Sequence, residues 1–135
     1  MITGLAHIAV AVRDLKQAIT LWTKATGGRV AYQEVISGQK VEVAMIQIAD
    51  LHIELLKPTS EDSPIAKFLA ARGPGLHHIA LKSTSIAAEL ERMKKEGFCL
   101  IDAIPRAGAG NSQIAFLHPQ SLGGVLVELV EHEEG

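Results

Sequence analysis

Hydrophobic positions along this chain switch between a period of two and a period of 3.6, and the order of the switches occurs twice. Residues 5–12 form an apolar run of strand length. Asp14 follows where a helix cap belongs, ahead of Leu15, Ala18, Ile19 and Trp22 at helical spacing, and Gly27-Gly28 supplies a left-handed stop. Runs rich in β-branched residues come next at 30–36, 41–48 and 51–56, separated by turns at Ser37-Gly38 and around Asp50. This half predicts β-α-β-β-β. The second half predicts the same order: a strand over 76–82, a helix over 85–96 closed by Gly97, and strands over 99–104, 113–118 and 125–131.

Between the halves, Ser63 and Pro64 have the form of an N-cap and first helical position, followed by the apolar Ile65, Phe68 and Leu69; Arg72-Gly73-Pro74-Gly75 ends this short helix. With 135 residues, 47% of them hydrophobic, the chain has material for one sizeable core and hardly two. The expectation is therefore one domain over 1–135, made of module one (1–58), a connecting helix (59–74) and module two (75–135). The predicted class is α+β, two tandem β-α-β-β-β modules that share one core.

Charge narrows the partners. Thirteen basic and 15 acidic residues are scattered, so the pattern offers neither a nucleic-acid stripe nor a polybasic membrane segment, and small molecules are the expected partners. Cys99, the single cysteine, has no intrachain partner, and the first residues lack a basic flank followed by an apolar run of signal-peptide length; the expected compartment is the cytoplasm.

The repetition extends to chemistry. Gly4-Leu5-Ala6-His7-Ile8-Ala9-Val10 is echoed by Gly75-Leu76-His77-His78-Ile79-Ala80-Leu81, and His52-Ile53-Glu54-Leu55-Leu56 by Leu126-Val127-Glu128-Leu129-Val130. Strand alternation puts His7 on a face with Ala9 and Ala11, and His78 on a face with Ala80, which selects His78 over His77 as the counterpart of His7. Glu54 and Glu128 stand in strands whose other face is strongly apolar, where an uncompensated carboxylate is costly. A cation on which His7, Glu54, His78 and Glu128 converge removes that cost. Two imidazoles and two carboxylates without a thiolate suit a five- or six-coordinate Co, Mn, Ni, Zn or Fe ion with positions open to water or substrate.

The duplicated order carrying these four residues resembles the vicinal oxygen chelate superfamily, over the whole chain. Within it, the segments running from His7 to Val12, Asp62 to Leu69, Gly75 to Ala80, Phe116 to Pro119 and Gly123 to Leu129 resemble the methylmalonyl-CoA epimerase family. The resemblance implies an α+β fold whose two modules form a curved mixed sheet around a metal-centred cleft, an isomerase acting on methylmalonyl-CoA, a homodimer, and a divalent metal, Co²⁺ foremost with Mn²⁺, Ni²⁺ or Zn²⁺ as alternatives, held by His7, Glu54, His78 and Glu128. Some members carry Gln at the second ligand position, so Glu54 makes this site one negative charge richer. Epimerising a carbon between a thioester and a carboxylate takes a proton from one face and returns one to the other, which two flanking acid/base groups accomplish. The resemblance points to Glu42, which alternation groups with Ala44 and Ile46, and to Glu128. Other readings of the scaffold are a glyoxalase-type metal isomerase or lyase acting on a thiol adduct and a non-catalytic small-molecule binder. The glycine-rich stretch from Arg106 to Ser112 reads either as a backbone approach to the CoA moiety or as a plain hairpin turn, and His118 as a residue behind the site or a structural one.

Overall fold

In the computed structural model, which describes residues 1–132, the chain forms β1 (Ile2–Ala11), α1 (Leu15–Thr26), β2 (Arg29–Ile36), β3 (Val41–Ile48), β4 (Leu51–Pro58), α2 (Pro64–Arg72), β5 (Gly75–Ser83), α3 (Ile86–Lys95), β6 (Arg106–Ala107), β7 (Ser112–Leu117) and β8 (Val127–His132). The expected second module runs on to 135, and 133–135 lie outside the described residues. The helix caps are those the polar residues predict. Asp14 accepts from the Gln17 amide, Ser63 from that of Ile65 and Ser85 from that of Ala88, and Gly27 closes α1 in the left-handed conformation.

Two compact units share the chain, one spanning His7–His77 and the other combining Met1–Ala6 with the chain from His78 onward. In the first, the strands lie in the order β2-β3-β4-β1. β1 and β4 run parallel, with Ile8 beside Ile53 and Ala9 beside Glu54, and the β2-β3 and β3-β4 pairs are antiparallel. One face of this sheet packs on α1 through Val10, Ala44, Ile46, Ile53 and Leu55 against Leu15 and Ala18, with Ile19 and Trp22 alongside. Removal of that surface from water is what holds the helix to the sheet. The Arg13 guanidinium also donates to the Leu69 carbonyl of α2 at 3.2 Å.

The second unit repeats the plan, in the order β5-β8-β7-β6, with β5 and β8 parallel and Ala80 beside Glu128. Ile86, Leu90 and Met93 of α3 pack on Ala115, Leu117, Val127 and Leu129. The other face carries Ala6, Ala80, Ile114, Phe116 and Val130.

The expected strand over 99–104 does not form. Leu100 makes a single bridge to Leu117, while the Ile101 and Asp102 amides both donate to the Phe116 carbonyl, and the Asp102 carboxylate takes the Phe116 amide at 2.9 Å. A side chain thereby occupies the place of a ladder carbonyl, and Pro105 supplies no donor to carry pairing onward. Pairing resumes only at Arg106-Ala107, inside the predicted glycine-rich turn, which makes that turn the tip of the β6-β7 hairpin, with Asn111 left-handed at φ 55° and the Gly108 amide donating to the Ser112 carbonyl.

Candidate functional site

In the first unit, the parallel register sets Ala9 directly beside Glu54, so His7, two residues earlier on the same face, stands diagonal to that carboxylate. The His7 Nε2 and Glu54 Oε1 atoms are 3.4 Å apart, and both side chains are 8% exposed. The small Ala9 and Ala11, each fully buried, keep the strand floor low beside the pair.

The second unit builds the same arrangement from the same register. Ala80 sits beside Glu128, His78 is two residues earlier, and His78 Nε2 lies 3.4 Å from Glu128 Oε1, with side chains 3% and 6% exposed. Phe116 is the cross-strand neighbour of Glu128 and meets the His78 ring edge-on with centroids 5.1 Å apart, which restrains the imidazole. His77 faces the other way and stacks edge-on against Phe68 at 4.9 Å. The structure therefore joins His7 to Glu54 and His78 to Glu128, the pairings the repeat suggests.

These pairs have the dimensions of metal ligands. For nitrogen and carboxylate oxygen bound at ordinary lengths, adjacent donors on one ion stand ~3.0–3.4 Å apart, depending on whether the angle at the ion is octahedral or tetrahedral. A direct N–H···O bond is shorter, ~2.7–3.2 Å. Burial adds to the case. His7, Glu54, His78 and Glu128 are all withdrawn from water, a costly placement for carboxylates that a cation offsets.

Glu42 does not share the face of His7 and Glu54. It lies with Ala44 and Ile46, as alternation predicts, but those residues belong to the face that packs on α1, whereas Glu54 has Met45 as its β3 neighbour. Glu42 pairs with Lys57 and lines a pocket with Arg13, Lys16 and Gln33 on the helix side of the sheet. The base expected of it in the metal cleft is thus turned away, because the residue count assigned the correct companions but the wrong face to the site. A carboxylate that the sequence reading passed over does share the site face. Glu34 of β2 is the register partner of Val43, and Val43 in turn of Leu56, two residues on from Glu54 in its strand.

His118 has a local task. Its Nδ1 accepts from the Gln120 amide, capping the short 3-10 turn Pro119–Leu122. Trp22 belongs to the α1 core.

Residues 6–116 match the sequence profile of the Glyoxalase/Bleomycin resistance protein/Dioxygenase superfamily. This chain belongs to that superfamily. Relatives align over nearly its whole length: the ethylmalonyl-CoA/methylmalonyl-CoA epimerase of Cereibacter sphaeroides is 37% identical, covering 96% of this chain and 98% of its own. The mitochondrial methylmalonyl-CoA epimerase of Homo sapiens is 35% identical over 93% of this chain and 72% of its own. Among solved structures, a methylmalonyl-CoA epimerase in complex with methylmalonyl-CoA and ammonium superposes with a TM-score of 0.96 at 35% identity, covering 99% of this chain and 97% of that one. The resemblance read from the repeated His and Glu segments accordingly extends over the length of the molecule, and the tandem β-α-β-β-β architecture is that of the superfamily.

Proposed function

We propose that this chain is a metal-dependent epimerase that interconverts (R)- and (S)-methylmalonyl-CoA. The observation that carries the reading is the repeated buried His-Glu pair at 3.4 Å, in a chain similar over nearly its whole length to proteins named as epimerases of this substrate. His7, Glu54, His78 and Glu128 would together hold one divalent cation. Co²⁺ is our first choice, with Mn²⁺, Ni²⁺ and Zn²⁺ as alternatives compatible with nitrogen and oxygen donors. The carboxylates of Glu54 and Glu128 bring two negative charges, which a 2+ ion neutralises. When bound, the cation supplies positive charge where an enolate forms from the thioester, lowering the cost of ionising the α-carbon.

The chain's own groups do the rest. The two imidazoles, as neutral ligands, leave the site with no surplus charge. Ala9 and Ala80, both fully buried, keep the strand surface low beside the ligands, where a larger side chain would crowd them. Glu128, the cross-strand partner of Phe116 and 3.4 Å from the His78 ring nitrogen, would serve as the acid/base group on the metal side. We place the protein in the cytoplasm as a homodimer; among the described residues no helix is long and apolar enough to cross a membrane.

Proton NMR of each methylmalonyl-CoA epimer in D₂O tests the reading, with the protein as purified, after chelation, and after Co²⁺ is restored. Loss of the α-proton signal that stops on chelation and resumes with the metal is the expected result. No exchange with any of the four metals would refute it, and turnover of a thiol adduct in its place would establish the glyoxalase-type alternative.

A further inference from the structure

The geometry points to Arg106 as the residue that binds an oxyanion of the substrate, on the sheet face that carries His78 and Glu128. This inference rests on the proposed epimerase reading and extends it to how the ligand is held. Side chains directly opposite one another on paired strands point to the same side of a sheet. Arg106 is the partner of Ile114 and Ile114 that of Val130, which puts Arg106 on the face of Glu128, two residues before Val130 in its strand. An independent contact agrees. The guanidinium carbon lies 5.7 Å from the centroid of the Phe116 ring, and Phe116 is both the cross-strand partner of Glu128 and the edge-on neighbour of His78 at 5.1 Å.

The guanidinium is held from behind. Its Nε meets Asp102 Oδ1 at 3.2 Å, and the other oxygen of that carboxylate takes the Phe116 amide, so Asp102 aligns the cation and the strand beneath it together. The hairpin that carries Arg106 is pressed onto the same face. A Cβ at Gly108 would overlap the Ile114 side chain and stand 2.7 Å from Ser112 Oγ, and that hydroxyl donates to the Ala109 carbonyl at 2.6 Å. Arginine carries donors on both edges of a planar fork, and Asp102 engages only the Nε edge. The terminal nitrogens make no hydrogen bond to the protein among the described residues. A cation fixed at one edge and open at the other loses little freedom when it takes a carboxylate or a phosphate.

The surface below is apolar, since Ile114, Phe116 and Val130 are all buried. A thioester placed beside His78 and Glu128 would lie over Phe116 with an anionic group toward Arg106. Two groups of an acyl-CoA qualify: the free carboxylate of the methylmalonyl group, close to the thioester, and a phosphate of CoA, beyond the pantetheine arm. Both are oxyanions that a guanidinium binds through paired N–H donors. Lys82 supplies the comparison. It is the β5 partner of Val130, a cation on the same face at the opposite end of the cross-strand row that ends in Arg106.

The test is calorimetric binding to Co²⁺-loaded wild type and Arg106→Gln. The ligands are methylmalonyl-CoA, propionyl-CoA, which lacks the carboxylate, and methylmalonyl-pantetheine, which lacks the phosphates. Loss of the guanidinium should weaken binding ~10–100-fold wherever the recognised anion is present. Weaker binding of both methylmalonyl thioesters, with propionyl-CoA unchanged, assigns the carboxylate. Weaker binding of both CoA thioesters, with methylmalonyl-pantetheine unchanged, assigns a phosphate. Arg106→Lys keeps the charge without the fork and should recover part of the loss, while Lys82→Gln should leave all three ligands within about two-fold, as expected of a solvent-screened charge. Unchanged binding of every ligand by Arg106→Gln would overturn the assignment. So would an equal loss for all three, or a matching fall in metal affinity, either of which would make Arg106 a staple for Phe116 and His78, or a larger loss from Lys82→Gln. A wild type that binds none of the three thioesters would overturn the parent reading, and this one with it.

Discussion

Replacing Glu54 by Gln keeps the shape of the side chain and removes one of the two charges that would balance the metal. Its consequence can be worked through. A ligand that binds only the folded state stabilises it by RT ln(1 + [L]/Kd), about 2.7 kcal/mol when free metal is 100 times Kd. For a chain of 135 residues the unfolding entropy makes that a rise of ~10 °C in Tm. Losing a supporting partner of a metal ligand already weakens binding ~10–100-fold, so a lost charged ligand should cost at least the upper figure. At the same free metal the variant then sits near its Kd, where stabilisation is only ~0.4 kcal/mol and the rise ~1–2 °C. The metal-free variant should be no less stable than the metal-free wild type, since the neutral amide relieves a buried carboxylate that is 6% exposed. Calorimetric melting of chelator-treated protein with and without Co²⁺, beside a titration for Kd, measures both effects. Equal metal-induced shifts in the two proteins would refute the ligand assignment, as would a metal-free variant far less stable than the wild type, which would make Glu54 a structural partner of His7.

Three further outcomes follow from the same structure. Glu42→Gln should turn over methylmalonyl-CoA within about two-fold of the wild type, since Glu42 lies on the α1 side of the sheet; a 100-fold loss would put it at the substrate after all. Ile46→Ala empties a fully buried position between β3 and α1 and should cost about 2–5 kcal/mol by urea unfolding, with a cost below 1 kcal/mol contradicting the packing described. The Met1 ammonium, and after it Arg92, holds the Glu89 carboxyl below the ordinary carboxylate range. A depressed folded-state pKa contributes stability above the unfolded value of about 4.5 and loses it as pH falls through the folded one, so the stability advantage of wild type over Glu89→Gln should be present at pH 7 and shrink steadily below pH 4.5. An advantage that stays constant down to pH 3 would contradict it.

Sequence alone determined the order of elements, because caps and periodicity are local. Asp14, Ser63 and Ser85 mark their helix starts with one hydrogen bond each, and the echo of His7 and Glu54 in His78 and Glu128 is visible as text. Local rules failed where a distant group intervened. The stretch over 99–104 is apolar enough for a strand, but the Asp102 carboxylate reaches across to the Phe116 amide and takes the place of ladder pairing. The site was legible to the same degree and with the same limit. Counting by two grouped Glu42 correctly with Ala44 and Ile46, yet which side of β3 receives α1 is set by where the helix finds apolar surface to bury, and that is a property of the packed unit. Glu34 was hidden for a related reason. Its partnership with Val43 depends on the length of the turn after Ile36 and on an irregularity near Val30 that shifts the β2-β3 register, and a shift of one residue would have turned its side chain to the other face. Sequence settles what each residue prefers over a few neighbours; tertiary structure decides which face of a strand is buried and which residue stands opposite which, because those choices are made by surfaces that meet only when the chain has folded.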